Sequence, residues 1–106
     1  MVNIFTYGTL MLGDVRERVL NKKISGEYDS LKGYRLTTHP VLTSYPVIEP
    51  IPAWHNHTNV DGMVFEVDND DLIKLDRYES TYYKRINVTL ESGLECMVYV
   101  ENKLID

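Results

Sequence analysis

The chain has 106 residues, 43% hydrophobic and 25% charged, with a net charge of −5 at pH 7, a balance that predicts one globular domain over residues 1–106. The acidic surplus argues against a nucleic-acid partner, which calls for a basic footprint, and no apolar run approaches the ~20 residues needed to span a membrane. Met1–Phe5 has neither the basic nor the apolar region of a secretion signal, and the single cysteine, Cys96, leaves no internal disulfide; the expected location is therefore cytoplasmic.

In chain order, Val2 to Tyr7 reads as a first strand, with Val2, Ile4 and Thr6 on one face. Asp14 is placed to cap a short helix from Val15 to Asn21, with Glu17 completing a capping-box pattern. Ile24 to Leu36 is extended and interrupted by Gly26 and Gly33. The prolines at 40, 46, 50 and 52 exclude regular helix, because each removes a backbone donor and fixes φ; within this region Tyr45 to Ile48 reads as an edge strand. Trp54 to Asn59 is a polar loop. Val60 to Val67 is a strand, with Met63, Phe65 and Val67 opposite Val60, Gly62, Val64 and Glu66. Asp68 or Asn69 caps a second helix, Asp70 to about Glu79, with Leu72, Leu75 and either Tyr78 or Glu79 on one face at helical spacing. Tyr83 to Leu90 and Leu94 to Val100 form a hairpin around Ser92-Gly93. The expected class is α+β: a small mixed sheet of about six strands, curled or closed like a barrel, with two helices. The absence of a long amphipathic helix points to a monomer.

Two features carry chemistry. Tyr7-Gly8-Thr9-Leu10 is a strand that breaks at a glycine, where the main chain is open to a ligand and unpaired N–H groups can form an anion-binding concavity. Glu79 ends a helix whose other residues at that spacing are apolar. The negative end of the helix dipole disfavours its ionisation, as does an apolar pocket, and a carboxyl group with a raised pKa suits general acid–base work near neutral pH. Taken singly, each also reads as an ordinary feature: a plain turn, and a solvated glutamate at a frayed helix end. Cys96, beside Met97, Val98 and Val100, reads as a small core residue. His55 and His57, with His39 and Asp61 nearby, lack a convincing fourth ligand for a structural metal. Eight tyrosines without a basic groove suit cavity walls better than base stacking.

The ordered set of motifs resembles the γ-glutamylcyclotransferase-like family, with the strongest similarity to its short γ-glutamylamine branch. Tyr7-Gly8-Thr9-Leu10 matches its YG(S/T)L motif, Leu31–Leu36 its LxGYRL segment and Tyr45–Pro50 its YPxxxP segment. Val60–Val67 matches VxGxxFxV, Leu75–Glu79 matches LDxxE, and Tyr83-Lys84-Arg85 matches YxR. The chain departs from the pattern at Ser80, where the family usually has glycine, and in a short segment between Glu79 and Tyr83. The resemblance implies an enzyme of the acyltransferase or lyase type, acting on a small γ-glutamyl molecule without metal or cofactor and releasing 5-oxoproline. It implies Glu79 as the catalytic acid/base. Tyr7, Gly8, Thr9 and Leu10 would hold the substrate, with Tyr45 and Tyr83 lining the cavity and Arg85 supporting either Glu79 or a structural pair. The departure at Ser80 leaves open a catalytically silent member that uses the same cavity as a binding or sensor module.

Overall fold

The computed structural model describes residues 1–52 and 58–103; most of the loop expected from Trp54 to Asn59, with His55 and His57, lies outside them. In chain order the elements are β1 (Val2–Thr6), a 3₁₀ turn (Thr9–Met11), α1 (Gly13–Leu20), β2 (Glu27–Lys32), β3 (Tyr34–Thr38), β4 (Pro46–Pro50), β5 (Asn59–Val67), α2 (Asn69–Glu79), β6 (Tyr83–Thr89) and β7 (Glu95–Glu101). The extended stretch from Ile24 to Leu36 is two strands, which meet at the Gly33 interruption. Gly33, at φ +84°, takes the left-handed turn between them, a conformation that glycine adopts without a Cβ penalty.

Five strands form a mixed sheet in the order β2-β5-β1-β7-β6, and β3 pairs with β4 in a second, two-stranded sheet. β1 lies at the centre, antiparallel to β5 and parallel to β7. Its neighbouring residues Ile4 and Phe5 are both buried, as expected of a strand covered on both faces. Ile4 packs into a core with Leu20, Phe65, Leu72 and Leu75, beneath the two helices. Phe5 packs into a second core with Leu31, Ile48, Val98 and Val100, inside the curl of the sheet.

The sheet curls but does not close. The β6–β7 turn reaches the opposite edge, where the Glu91 N–H donates to the Ser30 carbonyl at 2.8 Å and the Ser92 hydroxyl to Asp29 at 2.6 Å. No ladder joins β2 to β6. The β3–β4 hairpin packs against β5 and β7 instead and inserts Ile48 into the inner core.

The helix ends differ in how they meet expectation. α1 begins at Gly13 and uses Leu12 as its cap, without a side-chain cap bond. The predicted Asp14–Glu17 box does not form, because the preceding 3₁₀ turn runs directly into the helix and the Arg16 N–H already bonds to Leu12. Asp14 lies in the first turn, where its carboxylate accepts from the Val15 N–H at 3.0 Å. At α2 the cap is Asp68: it accepts from the Asp71 N–H at 2.8 Å, and Asp71 accepts in return from the Asp68 N–H at 3.1 Å. Asp71, 1% exposed, also meets Lys22 Nζ at 2.8 Å. No helix among the described residues is long and apolar enough to cross a membrane.

Candidate active site

A cavity of about 210 Å³ opens where β1 gives way to the 3₁₀ turn and α2 ends. All seven residues singled out in the sequence, Tyr7, Gly8, Thr9, Leu10, Tyr45, Glu79 and Tyr83, line it. Phe5, Thr6, Leu42, Pro46, Tyr78, Ser80 and Tyr99 complete the lining.

Helical geometry explains how Glu79 reaches the cavity. Leu72 and Leu75 bury one face of α2, and Glu79 follows Leu75 at i+4 on that face. Its carboxyl is pushed up to about 7, and the cause is burial. Its charge is felt across the cavity: burial first raises the phenols of Tyr7, Tyr83 and Tyr99, and Glu79 adds to this, behind Tyr83 at Tyr7 and behind Asp76 at Tyr99, with Tyr83 reaching about 12. These phenols stay protonated and act as donors that fix the walls. The Tyr7 hydroxyl donates to the Tyr99 carbonyl at 2.6 Å, and the Tyr83 hydroxyl to the Pro46 carbonyl at 2.8 Å.

One turn earlier on α2, Asp76 behaves oppositely. Burial acts to raise its pKa, but Arg85 and the Tyr99 hydroxyl outweigh it and leave it below the ordinary carboxylate range. Arg85 donates from Nε to Oδ1 at 2.9 Å and from Nη2 to Oδ2 at 3.0 Å, and the Tyr99 hydroxyl donates to Oδ1 at 2.6 Å. Arg85 therefore serves Asp76 and ties the last turn of α2 to β6 and β7. Two carboxyl groups three residues apart are thus driven in opposite directions by their surroundings, an arrangement that separates an ionised anchor from a group able to exchange protons.

The Tyr7–Leu10 loop is built differently from a glycine hairpin. Gly8 has φ −121° and ψ −142°, outside the ordinary strand region but not left-handed, and a Cβ there would meet only Pro46 Cγ at an ordinary 3.7 Å. The turn is made by the 3₁₀ bonds from the Met11 N–H to Gly8 and from the Leu12 N–H to Thr9, both 3.0 Å. The Thr9 hydroxyl shares a hydrogen with the Tyr78 hydroxyl at 2.6 Å, a link from the loop to α2.

Ser80 has φ +66° and ψ −174°, a region occupied almost only by glycine and costing a side-chain-bearing residue about 1–3 kcal/mol. Ser80 therefore keeps a glycine-like backbone conformation with strain. Ser80→Gly is expected to raise the unfolding free energy by about 1 kcal/mol after the entropy lost to glycine is subtracted, measured by urea denaturation.

Three contributors were not singled out as site residues from the sequence. Tyr99 shares a β7 face with Met97, towards the helices; that alternation was the available signal. Tyr78 follows Leu75 at i+3 but is 41% exposed, so periodicity alone pointed to the wrong environment. His39 is 2% exposed, and its Nδ1 accepts from the Val41 and Leu42 N–H groups, both at 3.0 Å. Its Nε2 lies 3.3 Å from the Tyr82 carbonyl. With both ring nitrogens engaged, His39 holds the 40–45 lip of the cavity rather than a metal. Cys96 is buried in the inner core, and burial raises its thiol to about 11, which suits packing and not nucleophilic attack.

A mixed α+β fold with a partly buried carboxyl and a strand-end loop lining one cavity defines a small cavity protein. The family model for gamma-glutamyl cyclotransferase, AIG2-like proteins matches residues 4–105, and the chain belongs to that family. A Drosophila melanogaster protein named as a candidate gamma-glutamylcyclotransferase is 33% identical over 108 aligned residues, covering 92% of this chain and 68% of its own length. Among solved structures, one from Arabidopsis thaliana matches 99% of this chain and 64% of its own with a TM-score of 0.80 at 23% identity. An AIG2-like protein of Mus musculus matches 99% of this chain and 80% of its own with a TM-score of 0.75, also at 23% identity. At that identity the structural likeness is one of fold. The chain spans about two thirds of the length of the fly and plant proteins.

Proposed function

We propose that the protein is a cofactor-independent γ-glutamyl cyclotransferase that acts on a γ-glutamyl amine or a related small molecule. The observation that carries this reading is the half-buried Glu79 carboxyl, raised to about 7, in one cavity with the Tyr7–Leu10 loop.

The substrate supplies its own nucleophile. Its α-amine attacks its γ-carbonyl, a new C–N bond closes a five-membered ring, and the bond to the leaving nitrogen breaks. The α-ammonium gives up two protons on its way to the lactam N–H, and the leaving nitrogen gains two to depart as an ammonium, so one carboxylate can carry them in turn from one nitrogen to the other. Glu79 takes that role. The walls set by Tyr7, Tyr83 and Tyr99 would hold the γ-glutamyl chain in a folded, near-attack shape, and such positioning can supply up to about 7–11 kcal/mol of the barrier. Backbone N–H groups of the loop would hold the α-carboxylate, leaving the amine free to turn inward.

The test is incubation with γ-glutamyl-ε-lysine, other γ-glutamyl amines and γ-glutamyl amino acids, with 5-oxoproline and free amine quantified together. Equal amounts of the two are expected. Saturable binding without 5-oxoproline would assign the cavity to a binding module instead.

A further inference from the structure

Arg16 on α1 is 6% exposed, and no ion pair involves it among the described residues. Its guanidinium lies 5.5 Å from the centre of the Phe65 ring and donates to three carbonyls: Ile24 at 3.0 Å, Leu10 at 2.9 Å and Met11 at 3.2 Å. A buried charge with only dipoles around it is costly, so its connections matter.

Two of those carbonyls begin hydrogen-bond chains into the cavity loop. The Leu10 carbonyl shares a peptide unit with the Met11 N–H, which bonds to the Gly8 carbonyl at 3.0 Å. The Gly8 carbonyl shares a peptide unit with the Thr9 N–H. In parallel, the Met11 carbonyl shares one with the Leu12 N–H, which bonds to the Thr9 carbonyl at 3.0 Å. The Thr9 carbonyl shares a peptide unit with the Leu10 N–H. Each link polarises the next in a low-dielectric interior. Both chains therefore run from one guanidinium to the N–H groups of Thr9 and Leu10, two residues lining the cavity.

We infer that Arg16 is a positioning residue that both holds the Thr9 and Leu10 N–H groups in place and relays its positive charge through them to a ligand carboxylate. The inference rests on the reading of the loop as the carboxylate-holding part of the site. A bound carboxylate is the counter-charge that the buried guanidinium lacks among the described residues, reached through two peptide units rather than by direct contact.

The probes are 5-oxoproline and 2-pyrrolidinone, the same lactam with and without a carboxylate, titrated by NMR into the unaltered protein, Arg16→Lys and Arg16→Gln. The unaltered protein should bind 5-oxoproline more tightly than 2-pyrrolidinone, with the Thr9 and Leu10 amide resonances shifting for the former alone. In Arg16→Gln the preference should fall about tenfold, the size of effect carried by a charge-assisted hydrogen bond, while 2-pyrrolidinone affinity holds; Arg16→Lys should keep most of the preference. Equal weakening of both lactams would make Arg16 merely structural and overturn the inference. Should the variants not fold, unmoved Thr9 and Leu10 amides in the unaltered protein would overturn it too. A native protein with no carboxylate preference at all would instead remove the site reading on which the inference stands.

Discussion

Glu79→Gln is expected to lower 5-oxoproline release by about 10²–10⁴-fold, the usual contribution of a positioned general acid–base, while the protein stays folded. The amide keeps the shape of the side chain and its place at the end of α2 but cannot accept and return a proton. In the unaltered protein the acidic limb of kcat/KM should have its midpoint near 7, where Glu79 titrates, with rates rising as pH increases because the base form is the active one. The same group makes an opposite prediction for stability. Its folded pKa lies above its ordinary value of 4.5, so the native state binds the extra proton between those values. Stability is greatest at the acid end of that window and falls as pH rises through about 7. Glu79→Gln removes this loss, so at pH 8 the variant should be the more stable protein by up to about 2–3 kcal/mol, and at pH 4 the gain should vanish. Thermal unfolding at the two pH values checks the sign, and a variant that is no more stable at pH 8 would show that Glu79 is not buried in the way the cavity requires.

The second large effect is expected at Gly62. This residue lies on β5 opposite Asp29 of β2, and the next residue, Met63, opposite Thr6 at the end of β1. A Cβ built there would strike the Thr6 carbonyl oxygen and come within 2.7 Å of Phe5 Cζ. The first obstacle is backbone in the centre of the sheet, and the second is the ring that anchors the inner core, so neither yields without moving β1. Gly62→Ala should destabilise the fold by about 3 kcal/mol, the upper part of the range for overpacking, which lowers the melting temperature by roughly 10–20 °C for a domain of this size. Because β1 leads directly into Tyr7 and the loop, the variant that remains folded should also bind 5-oxoproline less tightly. Calorimetry and titration of the one variant test both halves, and an unchanged melting temperature would mean that the central strands do not pack as closely as described.

Much of the fold follows from local pattern. Alternation located β5 and the β6–β7 hairpin, helical spacing placed Leu72 and Leu75 on one face of α2 and left Tyr78 or Glu79 as its third member, and four prolines excluded helix between β3 and β5. The order of the motifs also named the family. These signals are legible because they depend on residues adjacent in the chain, whose period or dihedral preference is written in their types. The cap of α1 was misread because Asp14 and Glu17 satisfy a local pattern that the preceding 3₁₀ turn overrides. Closure of the sheet was likewise undecidable, since it turns on whether β2 meets β6, two strands far apart in the chain.

The residue types at the site, a glycine-containing strand end and a helix-terminal glutamate, were determined by the sequence alone. Only the tertiary structure decided their physical state. Burial raises Glu79; a bonded Asp76 absorbs Arg85; Ser80 holds a glycine-like conformation under strain; and Arg16, outwardly one more charge on a short helix, lies beneath the loop with no ion pair among the described residues. Each of these depends on the solvent excluded and the partners supplied by chain segments distant in sequence, and residue order does not encode those energies at any single position.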